Sequence, residues 1–188
     1  MSNLIERFFA LFLILILSPL ILLIAVVILI DDGFPIIYVQ KNFGKNHKHF
    51  NLYKFRTMKV NTPEIPTEGF NDPKKYLLKS GNFLRKYSLD ELPQFFNVFE
   101  GKMKFIGPRP CMIRNEEVVK NLREKFGVDK ITPGITGWAQ VNGRDLNNFE
   151  QKVQLDKYYM ENKNLLLNIK IILLTFYVVL CKRDNIKH

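Results

Sequence analysis

A long apolar run near the N-terminus most constrains what this chain can fold into. From Phe8 to Ile30 every side chain is apolar except that of Ser18. At about 1.5 Å of rise per residue, a helix of this length matches a hydrocarbon core roughly 30 Å thick. A cleaved signal peptide is disfavoured, because the run exceeds a usual hydrophobic region and no small-residue cleavage site precedes Asp31-Asp32. The pattern therefore predicts a retained membrane segment.

Ser18-Pro19 lies near the middle of this run. Proline cannot donate a backbone hydrogen bond to the carbonyl of Leu15, and its ring crowds the same carbonyl, so we expect a bend or a break. The Ser18 hydroxyl is one group that can satisfy that carbonyl in lipid. From these residues alone two topologies stay open: a kinked helix that spans the bilayer, and a re-entrant helix-break-helix that enters and leaves by one face. Basic residues flank both ends of the run and leave the orientation undecided.

Composition narrows the class of protein. The chain has 188 residues and 47% hydrophobic content, which suits one sizeable core plus a membrane element. Its two cysteines, Cys111 and Cys181, are far apart, so neither a disulfide framework nor a thiolate metal site is indicated, and a reducing compartment fits. The formal net charge of +10 indicates an anionic partner: lipid headgroups, a phosphorylated substrate or nucleic acid.

The remaining pattern predicts a mainly α fold with a small β-hairpin (α+β). Strand-like runs at residues 35–40 and 49–56 surround a Gly44-Lys45-Asn46 turn. Helices are expected at residues 77–87, after Asp90, and at residues 114–126, where the charges are interpreted as a solvated face. Residues 165–181 are apolar but contain Asn168 and Lys170. We expect a helix at the headgroup boundary there, with packing on the core as a close alternative.

Two adjacent carboxylates, Asp90 and Glu91, lie within Ser88-Leu89-Asp90-Glu91-Leu92-Pro93-Gln94. A structural explanation is available, since Ser88-x-x-Glu91 matches a capping box and Asp90 is itself a suitable N-cap. Neighbouring side chains on a helix point about a third of a turn apart, so the pair does not flank a sugar as glycosidase carboxylates do. One nucleophile and one helper fits the pair better.

Two loops rich in glycine and proline complete the candidate motifs, at residues 105–110 and 133–144. Arg109 lies between two prolines, so its stiff backbone reduces the freedom lost when its guanidinium grips a phosphate or a carboxylate. The alternative is that Arg109 pairs with a structural acid. In the second loop, the glycines are explained equally well as turn residues, and Trp138 as a packing anchor.

Together these motifs resemble the bacterial sugar transferase family, the small monotopic phosphoglycosyl transferases that act on polyprenol phosphate. The resemblance covers nearly the whole chain. It rests on Ser18-Pro19 in the apolar run, Lys54-Phe55-Arg56-Thr57-Met58, Ser88-Leu89-Asp90-Glu91-Leu92-Pro93-Gln94, Phe105-Ile106-Gly107-Pro108-Arg109-Pro110, Pro133-Gly134-Ile135-Thr136-Gly137 and Asn142-Gly143-Arg144.

The resemblance implies transfer of a phospho-sugar from a UDP-sugar to polyprenol (undecaprenyl) phosphate, giving polyprenol diphosphate-sugar and UMP. Asp90 is then the nucleophile that forms a covalent phospho-sugar intermediate, and Glu91 assists it. Mg²⁺ is the implied cofactor, with Asp90 and Glu91 as candidate ligands. An anionic diphosphate also needs cations around it. The predicted substrate-binding residues are Lys54, Arg56, Arg85, Arg109, Gln140 and Arg144.

The resemblance also favours the re-entrant topology, with the break at Ser18 and Pro19. It implies membrane-anchoring residues 1–32 and a compact catalytic domain of residues 33–188, surrounded by interfacial helices, on the cytoplasmic face of the bacterial inner membrane. The implied partners are the UDP-sugar, polyprenol phosphate and inner-membrane lipids, with downstream glycosyltransferases as further candidates. No nucleic-acid partner and no particular oligomeric state is predicted.

The sequence departs from the family's pattern in three segments. Ala10 replaces a frequent Asp, Gly101-Lys102-Met103-Lys104 replaces Gly-Asp-Met-Ser, and Asn168 stands where an acid is frequent. We expect an active enzyme nevertheless, because the dyad and the arginines are intact. The other class of function considered, a membrane-anchored basic scaffold or nucleic-acid-binding module, is disfavoured because paired carboxylates do not help a binder of polyanions.

Overall fold

The computed structural model describes residues 2–63, 73–112, 116–142 and 148–181. It confirms a mostly helical chain with a small sheet. The helices are α1 (Ser2–Asp32), α2 (Gly81–Lys86), α3 (Gln94–Phe99), α4 (Glu116–Phe126), α5 (Trp138–Asn142), α6 (Phe149–Asn162) and α7 (Leu165–Cys181). The strands are β1 (Ile37–Phe43), β2 (His49–Phe55), β3 (Lys104–Ile106), β4 (Cys111–Met112) and β5 (Gly134–Thr136).

The predicted β-hairpin is confirmed. Strands β1 and β2 pair antiparallel with Ile37 opposite Phe55 and Phe43 opposite His49. A short 3-10 turn, Lys45–His47, connects them. Strand β4 adds to the far edge of β1, where Asn42 pairs with Met112, so the sheet order is β2-β1-β4. The sheet thereby brings the chain that follows Arg109 beside the hairpin.

The two glycine-rich loops meet through a parallel pair of strands. Strand β3 pairs with β5, with Lys104 opposite Gly134 and Ile106 opposite Thr136. A Cβ atom placed on Gly134 would lie 2.1 Å from the backbone nitrogen of Gly107. The glycines therefore do more than supply turns, since they allow two backbones to approach more closely than any side chain permits.

Helix α1 continues through Pro19 without interruption. The Ser18 hydroxyl donates to the Leu15 carbonyl at 2.7 Å, so that carbonyl, which Pro19 cannot reach with a donor, is satisfied locally. This is the compensation that the Ser-Pro pair predicts, and it explains why the expected break is not an interruption of the helix. The re-entrant arrangement itself stays a prediction.

Both halves of α1 pack on the same globule. In the N-terminal half, Ala10 is fully buried against residues of β2, α3 and the segment before β3. In the C-terminal half, Ile24 and Ile28 join a second buried cluster with Phe55 and residues around α2. The helix is long and apolar enough to cross a membrane, yet only 11% of its most apolar window is buried. Its outer face thus remains an exposed apolar surface.

One other helix expectation is wrong in its bounds, and the bounds of another are confirmed. Helix α2 is shorter than residues 77–87, because Leu77 forms a β-bridge with Met58 and the Leu78 N–H donates to the Thr57 carbonyl. These strand-like contacts occupy the segment before Gly81. Helix α7 has the predicted bounds, and Leu165, Leu166 and Leu173 on it are exposed. Its position at a headgroup boundary stays a prediction.

We expect the Gly134→Ala substitution to destabilise the protein by about 1–3 kcal/mol or more, because the added methyl group meets backbone atoms that cannot rotate away. The free energy of unfolding in detergent measures it. Gly33→Asn is the control: nothing lies within 4 Å of a Cβ there, and asparagine tolerates its φ of +66°. Equal stability of Gly134→Ala and the wild type would contradict the close approach of the two loops.

Candidate active site

The acidic dyad lies in a single 3-10 turn, Leu89–Glu91, between α2 and α3. Ser88 enters the turn in a left-handed conformation with φ of 54°, and its side chain forms no capping hydrogen bond. Helix α3 also lacks a side-chain cap. The capping box suggested by Ser88-x-x-Glu91 is therefore absent, and the two carboxylates are not occupied in closing a helix end.

Glu91 is held by two cations. Its Oε1 atom accepts hydrogen bonds from Lys54 Nζ at 3.1 Å and from Arg109 Nη2 at 2.8 Å. Burial by itself raises the pKa of this carboxyl, but the positive charges of Arg109 and Lys54 outweigh burial and lower its pKa to about 2. Glu91 is therefore a permanent anion near neutral pH. The structure thus brings together two of the predicted substrate-binding residues, Lys54 and Arg109, at one carboxylate oxygen.

Asp90 differs from its neighbour in having no ion pair among the residues that the structure describes. Burial, with the adjacent charge of Glu91 as the second cause, raises its pKa to about 6. The charges of Lys54 and Arg85 and its own backbone N–H act in the opposite direction. Glu91 is thus ionised, with its charge balanced by two cations, whereas Asp90 has no ion pair and is partly desolvated. A nucleophilic carboxylate requires an environment like that of Asp90.

Arg85 lies in the last turn of α2, and its charge acts on the dyad. Its Nε donates to the Thr57 hydroxyl at 2.8 Å, which fixes the inner end of the guanidinium. Its charge acts on Asp90. Thr57 was not singled out from the sequence, although it lies within the Lys54-Phe55-Arg56-Thr57-Met58 motif. The motif's threonine thereby orients a cation of the site.

Arg56 occupies a different environment from the other predicted cations. It is buried, forms an ion pair with the Asp32 carboxylate at the end of α1, and donates to the backbone carbonyls of Asp32, Gly33 and Pro35. A further N–H contacts the Met58 carbonyl. Its donors thus hold the end of the apolar helix to the hairpin. A contact with substrate stays a prediction for Arg56.

The other predicted substrate-binding residues lie elsewhere. Gln140 is in α5, and both polar atoms of its amide are buried with no hydrogen-bond partner within the described part of the chain. Such an amide is suited to a ligand, but within the described ranges no hydrogen bond links it to the dyad. Arg144 falls outside the residues that the structure describes.

The dyad is suited to a metal only as part of a larger coordination set. No group of three or more His, Cys, Asp or Glu side chains that could hold a metal occurs among the described residues. Mg²⁺, however, is commonly bound by one or two carboxylates together with water and substrate phosphates. Asp90 is unpaired, and Oε2 of Glu91 has no hydrogen-bond partner in the described ranges. These oxygens fit Mg²⁺ shared with a phosphate.

Several buried polar residues that support the site were missed at the sequence level. The Asn97 side chain accepts from the Tyr53 N–H at 3.0 Å and donates to the Asn51 carbonyl at 2.7 Å, which ties α3 to β2. Arg123, which the charge pattern of α4 placed on a solvated face, is instead buried and paired with Asp156. Asp156 shares a buried face of α6 with Val153 and Tyr159 at helical spacing, the one signal that points to it.

Trp138 and two residues that depart from the family's pattern, Ala10 and Asn168, are explained by structural contacts. Trp138 stacks on Tyr158 with ring centroids 5.6 Å apart, and Lys170 Nζ lies 5.3 Å from the Trp138 ring. These contacts favour a packing role for Trp138. Ala10 fills a tight position in the core, and Asn168 accepts a hydrogen bond from the Tyr159 hydroxyl at 3.1 Å, so both are accommodated without an acid.

The unequal environments of the dyad predict two well-separated titrations. With ¹³C-labelled carboxyls, we expect Asp90 to titrate near pH 6 and Glu91 near pH 2 in the wild-type protein. Glu91→Gln removes the neighbouring negative charge, so the pKa of Asp90 falls. Lys54→Met removes a positive charge, so the pKa of Asp90 rises. Glu100→Gln, an exposed change on α3's end, is the control. A rise of the Asp90 pKa in Glu91→Gln, or a fall in Lys54→Met, would contradict this charge arrangement.

Comparison with known proteins identifies the family. The sequence model of the family described as "Bacterial sugar transferase" matches residues 1–182. The chain is 39% identical over 171 residues to UDP-glucose:undecaprenyl-phosphate glucose-1-phosphate transferase of Escherichia coli (strain K12), covering 87% of this chain and 36% of that protein. It is 34% identical over 167 residues to UDP-N-acetylgalactosamine-undecaprenyl-phosphate N-acetylgalactosaminephosphotransferase of Aeromonas hydrophila, covering 87% and 40%.

The shorter relative among these proteins is the uncharacterized sugar transferase EpsL of Bacillus subtilis (strain 168). It is 38% identical over 172 residues, which cover 91% of this chain and 83% of EpsL. By contrast, the chain spans about a third of the length of the Escherichia coli protein. Since the family model covers nearly all of the sequence, the chain belongs to the bacterial sugar transferase family.

Proposed function

We propose that this protein is a phosphoglycosyl transferase that moves a phospho-sugar from a UDP-sugar to undecaprenyl phosphate. The observation that carries the proposal is the dyad: among the described residues Asp90 has no ion pair, and beside it Glu91 is paired with two cations. The names of the Escherichia coli and Aeromonas hydrophila relatives specify UDP-sugar donors and an undecaprenyl-phosphate acceptor. They support the same donor and acceptor classes here.

The first step is attack by Asp90 on the donor. A carboxylate oxygen of Asp90 forms a bond to the β-phosphorus of the UDP-sugar, while the bond from that phosphorus to the bridging oxygen breaks. The electron pair leaves with the bridging oxygen, and UMP departs. Asp90 is then an aspartyl phospho-sugar. Because the pKa of Asp90 is raised to about 6, the carboxylate is ionised at neutral pH yet only weakly solvated, which favours nucleophilic attack.

The second step returns the carboxylate. An oxygen of undecaprenyl phosphate attacks the same phosphorus, the Asp90–phosphorus bond breaks, and undecaprenyl diphosphate-sugar is formed. Both steps place negative charge near Lys54, Arg85 and Arg109, and fixed cations at such positions stabilise the transition state. Mg²⁺ held by Asp90, Glu91 and the donor phosphates would supply further charge neutralisation.

The acceptor's lipid tail requires the site to face a membrane. The two ends of α1 support a one-sided arrangement, because Arg7 Nε donates to the Phe99 carbonyl at 2.6 Å while Asp31 accepts from the Ser80 N–H at 2.9 Å. A globule that holds both ends of the apolar helix cannot lie on both sides of a bilayer. We therefore propose that α1 enters and leaves by the cytoplasmic face of the inner membrane.

Helix α7 supports the same orientation. Most of its large apolar side chains are exposed, as are those on the outer face of α1, whereas Ile171 and Val178 are buried. The Thr175 hydroxyl in α7 lies 2.7 Å from that of Thr136 in β5, which attaches the helix to the loop pair beside the site. An apolar helix held in this way is suited to the interface between headgroups and acyl chains.

The covalent step is tested with a UDP-sugar labelled in the β-phosphate. We expect labelled adduct on the wild-type protein, UMP release with at least one donor of a sugar panel, and loss of both in Asp90→Asn, by about 10⁴-fold in rate. Glu100→Gln, which removes an exposed carboxylate outside the site, is the matched control and retains the adduct. Undiminished adduct in Asp90→Asn would move the nucleophile elsewhere, and no UMP release with any donor would contradict the activity.

The topology is tested with one engineered cysteine. In a variant in which Cys111 and Cys181 are serine, Asn3→Cys should be shielded from an impermeant thiol reagent in intact cells, and labelled once the cells are opened. A second engineered cysteine at Asn148, in the globule, is the control for the cytoplasmic side. Labelling of position 3 from outside intact cells would contradict the re-entrant arrangement.

A further inference from the structure

A buried ion pair is hydrogen-bonded to the Arg109 loop, and no hydrogen bond or ion pair among the described residues joins it to the dyad. Arg123, in the last turn of α4, is 8% exposed, and Asp156, in α6, is 4% exposed. Their Nη2 and Oδ2 atoms are 3.9 Å apart. Because buried charges are costly to desolvate, such a pair is weak evidence of stabilisation and calls for another explanation.

The pair is incompletely satisfied as a structural element. Arg123 Nε and Asp156 Oδ1 are buried and have no hydrogen-bond partner among the described residues. The strong contact that Arg123 does form is with the loop, since its Nη2 donates to the backbone carbonyl of Arg109 at 2.5 Å. The buried guanidinium is thus directed at the one loop residue whose side chain binds the dyad.

Arg109 needs such support because its side chain has little packing of its own. Its side chain is 52% exposed, yet its guanidinium reaches Glu91 Oε1 at 2.8 Å. An exposed arginine ordinarily loses much rotamer freedom to hold one geometry. Here the flanking prolines restrict the backbone and the Arg123 hydrogen bond fixes the carbonyl between them, so the side chain starts from a defined position.

We propose that Arg123 is a positioning residue for the transfer reaction, acting through the Arg109 backbone, with Asp156 as its buried counter-ion. The proposal rests on the proposed function of the site. Arg123 contacts neither the dyad nor, by this account, the substrate. Its effect is to hold the Arg109 guanidinium on Glu91 and thus beside the reacting phosphate.

A double-mutant cycle tests the proposal. Arg123→Gln should lower kcat by about 3- to 30-fold with a smaller change in the donor KM, after correction for the folded fraction. Arg109→Gln should lower kcat further, and the double variant should be no worse than Arg109→Gln alone, because both changes remove the same contact. Additive effects of the two changes would overturn the proposal.

Two more variants complete the series. Arg123→Lys keeps a cation opposite Asp156, so its kcat should lie between those of the wild type and Arg123→Gln. Lys157→Gln, which removes an exposed charge that pairs with Glu161 on α6, is the control and should leave kcat unchanged. If Arg123→Gln does not fold, the cycle is carried out with Arg123→Lys: non-additivity with Arg109→Gln supports the proposal, and additivity overturns it.

A spectroscopic readout separates this inference from the proposed function. The guanidinium ¹⁵N signals of Arg109, assigned by their loss in Arg109→Gln, should report restricted rotation in the wild type and in Lys157→Gln, and free rotation in Arg123→Gln. Unchanged Arg109 signals in Arg123→Gln would overturn the positioning role. A wild-type protein that releases no UMP would contradict the proposed function, while this comparison would still decide the role of Arg123.

Discussion

The ion pair between the buried Arg56 and the partly exposed Asp32 is the contact on which the arrangement depends. Arg56 directly follows β2 and holds the end of the apolar helix, and Lys54, two residues earlier and within β2, reaches Glu91. Side chains two apart on a strand share a face. One short segment of chain thus fixes the apolar helix and the acidic dyad relative to each other, so the distance between them is set by the hairpin's geometry.

The chemistry of the site follows from an unequal distribution of cations. Asp90 and Glu91 are neighbours in one turn, yet Arg109 and Lys54 lower the pKa of Glu91 while burial and Glu91 raise that of Asp90. Pairs of titratable groups with opposed shifts commonly have separate roles. Here Glu91 holds Lys54 and Arg109 in place, while Asp90 has no ion pair among the described residues and its carboxylate is free to react.

Local sequence patterns predicted most of the main helices and the hairpin, but few of the contacts between distant segments. The hairpin, α1, α7 and the dyad follow from hydrophobic periodicity, turn residues and adjacent charges, which are short-range signals. The helix expected at residues 77–87 starts later, because Leu77 pairs with Met58 in a β-bridge. The prediction that the charges of α4 form a solvated face is wrong for Arg123, which is buried. Both errors have one cause: a distant segment supplied the hydrogen bond or the counter-ion, and spacing along a chain does not encode that partner.

Helix α1 contributes buried side chains to the hydrophobic interior of the protein, so its role is more than that of an anchor. Ala10, Ile24 and Ile28 complete two hydrophobic clusters whose other members come from the hairpin, from α2 and α3, and from the segments next to these two helices. Removing the helix to obtain a soluble fragment would open both clusters to water and leave Arg56 a buried cation without its acid. The apolar helix is therefore a folding partner of the globule, and any strategy for solubilising this chain has to retain it.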